Sequence, residues 1–202
     1  MANMIFPFDS NITCIQRTQA MMQTPRLIWL TGLSGSGKTT LALRLEHYFF
    51  SKGFKVFILD GDNVRNGLCK DLGFSEADRK ENLRRVAEVA TLMLDAGLIV
   101  ISAFISPNGE DRQAIKNIVG EQRFIEVYVN CAVEVCEKRD VKGLYAKARK
   151  GIIPNFTGVS APYESPLSPD VEVRTAGESI EESVLKIIKL VEPAISLKLN
   201  VI

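Results

Sequence analysis

The stretch GLSGSGKTT, from Gly32 to Thr40, has the glycine, lysine and threonine spacing of a phosphate-binding loop. It follows the apolar run LIWL and precedes a helical pattern, which is the context that this motif requires. Backbone N–H groups of such a loop surround nucleotide phosphates, while the lysine neutralises charge and the threonine ligates Mg²⁺. This pattern predicts binding of ATP with Mg²⁺. The predicted nucleotide-binding residues are Gly32, Ser34, Gly35, Ser36, Gly37, Lys38, Thr39 and Thr40.

Two carboxylates, Asp60 and Asp62, follow the next apolar run, in the segment ILDGDNVR. In an open parallel sheet, ligands bind beyond the carboxyl ends of the strands, which places both aspartates beside the phosphate loop. One carboxylate can orient Mg²⁺ or its water shell, and the other can accept the proton of an attacking hydroxyl. We predict Thr39, Asp60 and Asp62 as the metal site. Which aspartate is the base stays open, because residues two apart on a strand share one side of the pleat.

Further polar side chains follow other predicted elements. Arg79 and Asn82 lie one turn apart near the start of a predicted helix, where the helix dipole favours an anionic ligand; the alternative is a solvated first turn. Ser106 follows the third apolar run, where its hydroxyl can contact a substrate, become phosphorylated or simply cap the next helix. That run ends without a Walker-B aspartate, and the chain lacks an NKxD guanine motif. This combination favours a small-molecule kinase over a motor or a switch GTPase.

The elements that must position these residues are short apolar runs alternating with longer segments of helical period. This alternation predicts a parallel sheet with crossover helices. The predicted strands are 26–31, 55–60, 98–104, 124–129 and 171–174. The predicted helices are 38–51, 76–96, 109–119, 132–139 and 178–197. We therefore predict an α/β, P-loop NTPase-type fold of three layers, with a central parallel sheet flanked by helices and a basic lid.

The lid is predicted between Asp140 and Ser168, where periodicity gives way to a segment rich in basic residues, glycine and proline. Long irregular segments in compact domains are usually functional or disordered, so a mobile surface loop is the alternative. The basic residues that can cover a phosphate are Lys142, Lys147, Arg149 and Lys150. The length of 202 residues fits one domain. We predict a kinase domain over 26–202 and an extension over 1–25 that is a disordered arm, a dimer element or a fusion remnant.

Charge and cysteine usage limit the remaining function classes. With 25 Lys+Arg against 24 Asp+Glu, the chain lacks a global field for nucleic acid or a membrane surface, and neither is expected as a partner. The sequence contains neither an apolar run of about 18 residues nor the pattern of a secretory signal, so we predict a cytoplasmic protein. Cys14, Cys69, Cys131 and Cys136 lack CxxC and zinc-ligand spacing, which favours free thiols.

The motifs GLSGSGKTT, LDGDNVRNGLCKDLGFSEADRKEN, FISP, RDVKGLYAKAR, and FTG with YESP occur in this order. In this combination the chain resembles the adenylylsulfate kinases, which make 3′-phosphoadenylyl sulfate, over residues 26 to 195. The resemblance implies that Mg-ATP phosphorylates the 3′-hydroxyl of adenylyl sulfate. It also suggests a homodimer, and since the chain has no room for an ATP sulfurylase domain, any coupled sulfurylase must be a separate polypeptide.

Carried over to matching positions, the family's motifs imply a substrate site of Asp62, Asn63, Arg65, Phe74, Arg79, Asn82, Ile105, Ser106, Lys142, Leu144 and Phe156. Phe74 and Phe156 offer aromatic faces to sandwich an adenine. Arg65 and Arg79 offer forked donors for a phosphosulfate group. The sequence departs from the family's usual pattern at Ser160, where an aspartate is general, and at Asn108, where an aromatic residue is common.

The predicted catalytic residues are Lys38, Asp60, Asp62, Ser106, Arg139 and Lys142. Arg139 and Lys142 are expected to stabilise the transferring group. The resemblance suggests phosphorylation of Ser106 in some members, but the aspartates make direct in-line transfer chemically sufficient. Two alternatives stay open. The first is a kinase for another hydroxylated small molecule, which does not explain the joint presence of Phe74, Arg79, Asn82 and the motif FISP. The second is a nucleotide-binding regulatory subunit without turnover, which does not explain the intact phosphate loop and aspartates.

Overall fold

The computed structural model describes residues 10–197. The strands are β1 (Leu27–Thr31), β2 (Val56–Asp60), β3 (Ile99–Phe104), β4 (Phe124–Asn130) and β5 (Val171–Arg174). The helices are α1 (Cys14–Met21), α2 (Lys38–Ser51), α3 (Gly61–Asn66), α4 (Glu76–Asp95), α5 (Gly109–Val119), α6 (Val133–Arg139), α7 (Leu144–Arg149) and α8 (Ile180–Ile195), with a 3₁₀ turn at Glu121–Arg123. Within residues 10–197, none of the helices is long and apolar enough to cross a membrane.

The five strands form one parallel sheet in the order β2-β3-β1-β4-β5. The central strands β1 and β3 are buried along their whole length, which accounts for their largely apolar sequences LIWLT and IVISAF. Leu30 lies opposite Ala103 of β3 on one side and Val127 of β4 on the other. The predicted fold of three layers around a parallel sheet is confirmed.

Alternate residues of β1 belong to two separate cores, one on each face of the sheet. Ile28 and Leu30 pack in the cluster that α2 and α8 cover, together with Leu45. Leu27 and Trp29 pack in the cluster that α4 and α5 cover. Because neighbouring side chains of a strand point to opposite faces, a strand buried on both sides is apolar at most of its positions. The central sheet is thereby fixed between two helical layers.

The predicted strands and longer helices agree with the structure to within a few residues, but three short helices were not predicted. Helix α1 lies in the extension 1–25, for which a disordered arm was one interpretation. Residues 10–25 of it instead contain a helix with a Thr13–Gln16 capping box. Residues 1–9 lie outside the described residues. Helix α7 lies in the predicted lid, where Tyr145 and Phe156 belong to a third, smaller buried cluster, so this part of the lid is not an irregular loop.

Gln23, which follows α1, is fully buried and joins segments at the end of the sheet where β2 and β3 begin. Its side-chain amide donates to the carbonyls of Lys55 at 3.0 Å and Gly97 at 2.8 Å. Its carbonyl oxygen accepts from the Lys55 N–H at 2.7 Å. The next residue, Thr24, donates from its N–H to the carbonyl of Ile195 at the end of α8. This single glutamine therefore ties the starts of β2 and β3 to the N-terminal segment.

The Gln23→Ala variant is expected to lower the free energy of unfolding by about 2–3 kcal/mol, because it leaves buried backbone groups without their partners. Urea denaturation followed by circular dichroism measures the change. Gln19→Ala is the matched control, since Gln19 is exposed on α1 and loses the same atoms. Equal midpoints for the two variants would contradict the structural role of Gln23.

Candidate active site

The predicted functional residues meet in one cavity of about 1030 Å³ at the carboxyl ends of the strands. From β1 the chain passes through α2 toward β2 at one edge of the sheet, whereas from β3 it passes through α5 to β4 on the other side of β1. The strand order therefore has a switch point at β1, and a crevice opens at such a point. The predicted residues that line it are Ser34, Gly35, Gly37, Lys38, Thr39, Thr40, Asp60, Asp62, Arg65, Phe74, Arg79, Asn82, Ile105, Ser106, Arg139, Lys142, Leu144 and Phe156. Gly32 and Ser36 are buried and Asn63 is exposed, and none of these three lines the cavity.

The phosphate loop depends on glycine at two points of close approach. A Cβ atom on Gly32 would lie 2.5 Å from the carbonyl oxygen of Val129 in β4. A Cβ atom on Gly35 would lie 3.0 Å from the carbonyl oxygen of Cys136, and its φ of +74° also disfavours other residues. The loop therefore passes directly over the end of β4 and over α6.

Lys38 begins α2 and its ammonium lies over the phosphate loop. Its Nζ donates to the carbonyls of Gly32 at 2.9 Å and Leu33 at 2.7 Å, and the residue is only 8% exposed. Burial disfavours the charged form and lowers the pKa of Lys38 to about 8. The lysine is thus placed and oriented as phosphate binding requires, with its charge held in a poorly solvated position.

Asp60 and Asp62 have different surroundings, because β2 ends at Asp60 and Asp62 already belongs to α3. Asp60 caps this helix, accepting from the Asp62 N–H at 3.0 Å with one oxygen and from the Thr39 hydroxyl at 3.1 Å with the other. Asp62 is exposed and forms an ion pair with Lys142 of the lid. The expectation that both aspartates share one side of a strand is therefore wrong, since the Asp60 cap turns the chain into a helix.

Thr39 and Asp60 are suited to a magnesium site that is shared with a nucleotide, and less suited to a site formed by protein ligands alone. Their side-chain oxygens are neighbours on the cavity wall, and Mg²⁺ in nucleotide sites takes one or two protein oxygens together with waters and phosphates. Among residues 10–197, no group of three or more His, Cys, Asp or Glu side chains is arranged to hold an ion. The donor set therefore fits Mg²⁺ held jointly with a nucleotide.

Arg65 and Arg79 lie near the exposed aromatic ring of Phe74. The Arg65 guanidinium is 4.4 Å from the centre of that ring and donates to the carbonyl of Gly73 at 2.8 Å. Arg79 donates to the carbonyls of Phe74 and Asn155 and to the hydroxyl of Thr157. Arg79 thereby joins the start of α4 to the middle of the lid segment. Each arginine donates to backbone carbonyls, which fixes the direction of its fork.

Asn82 is the buried polar side chain of this wall. It is 3% exposed, lies one helical turn after Arg79, and lines the cavity. Within the described part of the chain its Oδ1 has no hydrogen-bond partner. A buried acceptor without a partner costs free energy, so this atom is suited to accept a hydrogen bond from a ligand.

The two predicted aromatic residues differ in how far their side chains are exposed. Phe74 is 70% exposed, whereas Phe156 is 8% exposed and packs edge-on against Tyr145 with ring centres 5.0 Å apart. The N–H of Phe156 donates to the hydroxyl of Ser160 at 2.9 Å. A serine at this position therefore supplies the acceptor that holds the turn around Phe156. Both rings line the cavity, one as an exposed wall and the other as a packed one.

The hydroxyl of Ser106 is bound within the protein. Ser106 is 2% exposed; its Oγ donates to the Thr31 hydroxyl at 2.9 Å and accepts from the Trp29 indole N–H at 3.0 Å. A phosphoryl acceptor needs a free hydroxyl that reaches the transferring group. The structure thus places Ser106 at the cavity wall with its hydroxyl bonded to two neighbouring side chains.

Arg139, which was expected to stabilise the transferring group, lines the cavity and bridges two segments. Its guanidinium donates to the carbonyl of Gly35 at 3.3 Å and to the carbonyl of Thr175 at 2.6 Å. Thr175 belongs to the connection between β5 and α8, which no motif singled out. Other lining residues that sequence reasoning missed are Tyr145, Glu178, Ser179, Ile180 and Ser183. The predicted lid residues Lys147, Arg149 and Lys150 do not line the cavity, and Arg149 pairs with Glu137 of α6.

Comparison with known proteins identifies relatives over most of the chain. The sequence model of the adenylylsulphate kinase family matches residues 24–174. The adenylyl-sulfate kinase of Bacteroides thetaiotaomicron is 52% identical over 97% of this chain and 98% of its own length. That of Shewanella pealeana is 60% identical over 76% of this chain and 75% of its own length. The structure of the Mycobacterium tuberculosis APS kinase in complex with AMPPNP and APS aligns with a TM-score of 0.81 at 45% identity, covering 84% of this chain and 98% of that one.

Proposed function

The chain belongs to the adenylylsulfate kinase family, and we propose from its geometry which residues perform that family's reaction. The reaction transfers the γ-phosphoryl group of ATP to the 3′-hydroxyl of adenylyl sulfate and yields ADP and 3′-phosphoadenylyl sulfate. One observation supports the assignment of roles best. A complete phosphate loop and the wall of Phe74, Arg79 and Asn82 line the same cavity, so donor and acceptor can meet in it.

The phosphate loop and Lys38 bind the ATP phosphates. Loop N–H groups face the α- and β-phosphates, and the Lys38 ammonium, which already lies above the loop, reaches the β- and γ-oxygens. Thr39 and Asp60 hold Mg²⁺, which when bound neutralises charge on the β- and γ-phosphates. Asp60 is the better metal-side carboxylate, because it already contacts the Thr39 hydroxyl.

Asp62 is the general base of this proposal. Both oxygens of Asp60 are engaged by neighbouring groups, whereas Asp62 is exposed in the cavity beside Lys142. As the 3′-oxygen of adenylyl sulfate bonds to the γ-phosphorus, its proton passes to Asp62 and the bond to the bridging oxygen of ADP breaks. Lys142, paired with Asp62, is placed to neutralise charge on the transferring group.

The acceptor side is formed by Phe74 and Phe156 for the adenine and by Arg65 and Arg79 for the phosphosulfate. Asn82 supplies an unpaired buried acceptor to the same side. Transfer is direct and does not pass through Ser106, because the Ser106 hydroxyl is enclosed by Trp29 and Thr31.

Association and location remain predictions from the sequence. A homodimer is expected, and a sedimentation mass equal to one chain would exclude it. Functional coupling to a separate ATP sulfurylase and a cytoplasmic location are likewise expected.

ADP release by the purified protein with Mg-ATP tests the proposed function, comparing adenylyl sulfate, adenosine monophosphate and no acceptor. A large stimulation by adenylyl sulfate alone, with 3′-phosphoadenylyl sulfate as product and an unchanged intact protein mass, is expected. Stimulation by a different hydroxylated acceptor would indicate another small-molecule kinase. ATP binding without turnover on any acceptor would indicate a regulatory subunit. A gain of one phosphate in the protein mass would contradict direct transfer.

A further inference from the structure

The turn that follows β3 carries the acceptor-side residue Ile105 and has an unfavourable backbone. Ser106 has a φ of +39°, although it is not glycine, and such a conformation costs free energy unless the surroundings enforce it. Ile105 lines the cavity, and its carbonyl accepts from the Thr31 hydroxyl at 2.8 Å. The position of this turn therefore depends on groups outside the turn.

Arg112 of α5 is the largest of these groups. It is 6% exposed and does not line the cavity. One guanidinium nitrogen donates to the carbonyl of Ser106 at 2.7 Å, and the other donates to the carbonyl of Glu164 at 2.8 Å. Its Nε lies 3.0 Å from a carboxylate oxygen of Glu126 in β4. A planar fork with several donors can hold separate carbonyls in a fixed geometry, which a lysine cannot do.

A second set of contacts joins the same two segments. The N–H of Glu164 donates to the carbonyl of Pro107 at 2.9 Å, and the carboxylate of Glu164 accepts from the N–H of Gly109 at 2.6 Å. The hydroxyls of Tyr163 and Thr31 are 2.9 Å apart. The turn after β3 and the segment Tyr163–Glu164 are thus bonded directly to each other, to Arg112 and to the end of β1.

The segment Tyr163–Glu164 lies in the last part of the lid, where the chain returns toward β5. Phe156 and Thr157, on the lid side of this segment, line the cavity, and the turn supplies Ile105 to the same cavity. Arg112 contacts both segments from behind, and within the described residues none of its hydrogen bonds reaches the phosphate loop. Loss of Arg112 should therefore disturb the acceptor side while leaving the ATP phosphates in place.

We propose that Arg112 is a positioning residue for the acceptor, which holds the strained turn at Ile105–Pro107 against the lid-return segment Tyr163–Glu164. This inference rests on the proposed function, because the acceptor it concerns is adenylyl sulfate. Arg112 acts through the backbone that it fixes and contacts no reacting atom.

The Arg112→Lys variant tests the proposal, since it keeps a positive charge beside Glu126 but loses the fork. Its KM for adenylyl sulfate is expected to rise about tenfold, because a small displacement of binding groups in an active site has kinetic effects of this order. Its KM for ATP and its kcat at saturating acceptor are expected to stay within about twofold. Steady-state kinetics with each substrate varied in turn measure all three constants.

Arg123→Lys is the matched control, because Arg123 follows the other end of α5 and also donates to a backbone carbonyl and a carboxylate. Its three constants are expected to match those of the unaltered protein. Glu164→Ala gives an independent test, because Glu164 is exposed. Its KM for adenylyl sulfate is expected to rise by less than that of the Arg112 variant. It replaces the Arg112 variant if that variant does not fold.

Unchanged constants, or equal rises in both KM values, would overturn the positioning role of Arg112. These outcomes are distinct from a failure of the proposed function. If the unaltered protein does not respond to adenylyl sulfate, both the function and the inference are wrong. If it responds and the variants behave like the Arg123 control, only the inference is wrong.

Discussion

The Asp62→Asn variant is expected to lose about 1000-fold in kcat while keeping its KM for ATP, because a general base contributes roughly 10²–10⁴-fold to proton transfer. The asparagine amide preserves the size of the side chain but cannot take the proton of the 3′-hydroxyl. Asp62 does not contact the phosphate loop lysine or Thr39, so nucleotide binding should be unaffected. Steady-state kinetics and calorimetric titration with Mg-ATP measure the two quantities separately.

Asp60→Asn is the comparison that separates the two carboxylates. Asp60 contacts the Thr39 hydroxyl and caps α3, so its loss is expected to weaken Mg-ATP binding and to raise the Mg²⁺ concentration needed for turnover. A loss of kcat with intact ATP binding in Asp60→Asn, and not in Asp62→Asn, would reverse the assignment. An equal loss of ATP binding in both variants would contradict the division of roles.

The Lys38→Met variant is expected to lose about 10²–10³-fold in kcat/KM for ATP, since it removes one preorganised positive donor from the transferring phosphate. Methionine fills a similar volume, so the buried site should stay packed. Lys189→Met is the control, because it makes the same exchange at an exposed position of α8. A Lys38 variant with the kinetics of this control would contradict the role of the lysine.

The pKa of Lys38 gives the same prediction a second readout. Burial lowers that pKa to about 8, so the ammonium is present below pH 8 and is lost as the pH rises through this value. Only the charged form attracts phosphate, and ATP affinity in the unaltered protein is therefore expected to fall as the pH rises through about 8. The Lys38→Met variant should lack this step, because the ammonium that titrates is removed.

The amino-acid sequence determined the parts of this protein that depend on local patterns. The spacing of Gly32, Gly37, Lys38 and Thr39, between an apolar run and a helical pattern, identified the phosphate loop. The structure shows why Gly32 cannot carry a side chain, since a Cβ atom there would lie 2.5 Å from the carbonyl oxygen of Val129. The strands β1 and β3 are buried on both faces, and short continuous apolar runs are typical of strands in that position. The order of motifs likewise identified the family before any contact was known.

Sequence patterns did not predict three of the short helices. Helices α1, α3 and α7 have 8, 6 and 6 residues, a length at which a helical period is hard to recognise, although α6, with 7 residues, was predicted. Their stability comes from caps and tertiary contacts, such as the Asp60 side chain that begins α3. Thr175 was missed for a related reason, since a loop residue that binds Arg139 has no pattern around it.

Sequence patterns do not show the surroundings of residues whose partners are distant in the chain. Ser106 looks like a reactive hydroxyl beside a strand end, but its partners Trp29 and Thr31 lie 77 and 75 residues away. The two aspartates look equivalent until Asp60 caps α3 and Lys142, 80 residues away, pairs with Asp62. The sequence determines which groups are available, whereas burial and hydrogen bonds across the fold determine which of them are free to react.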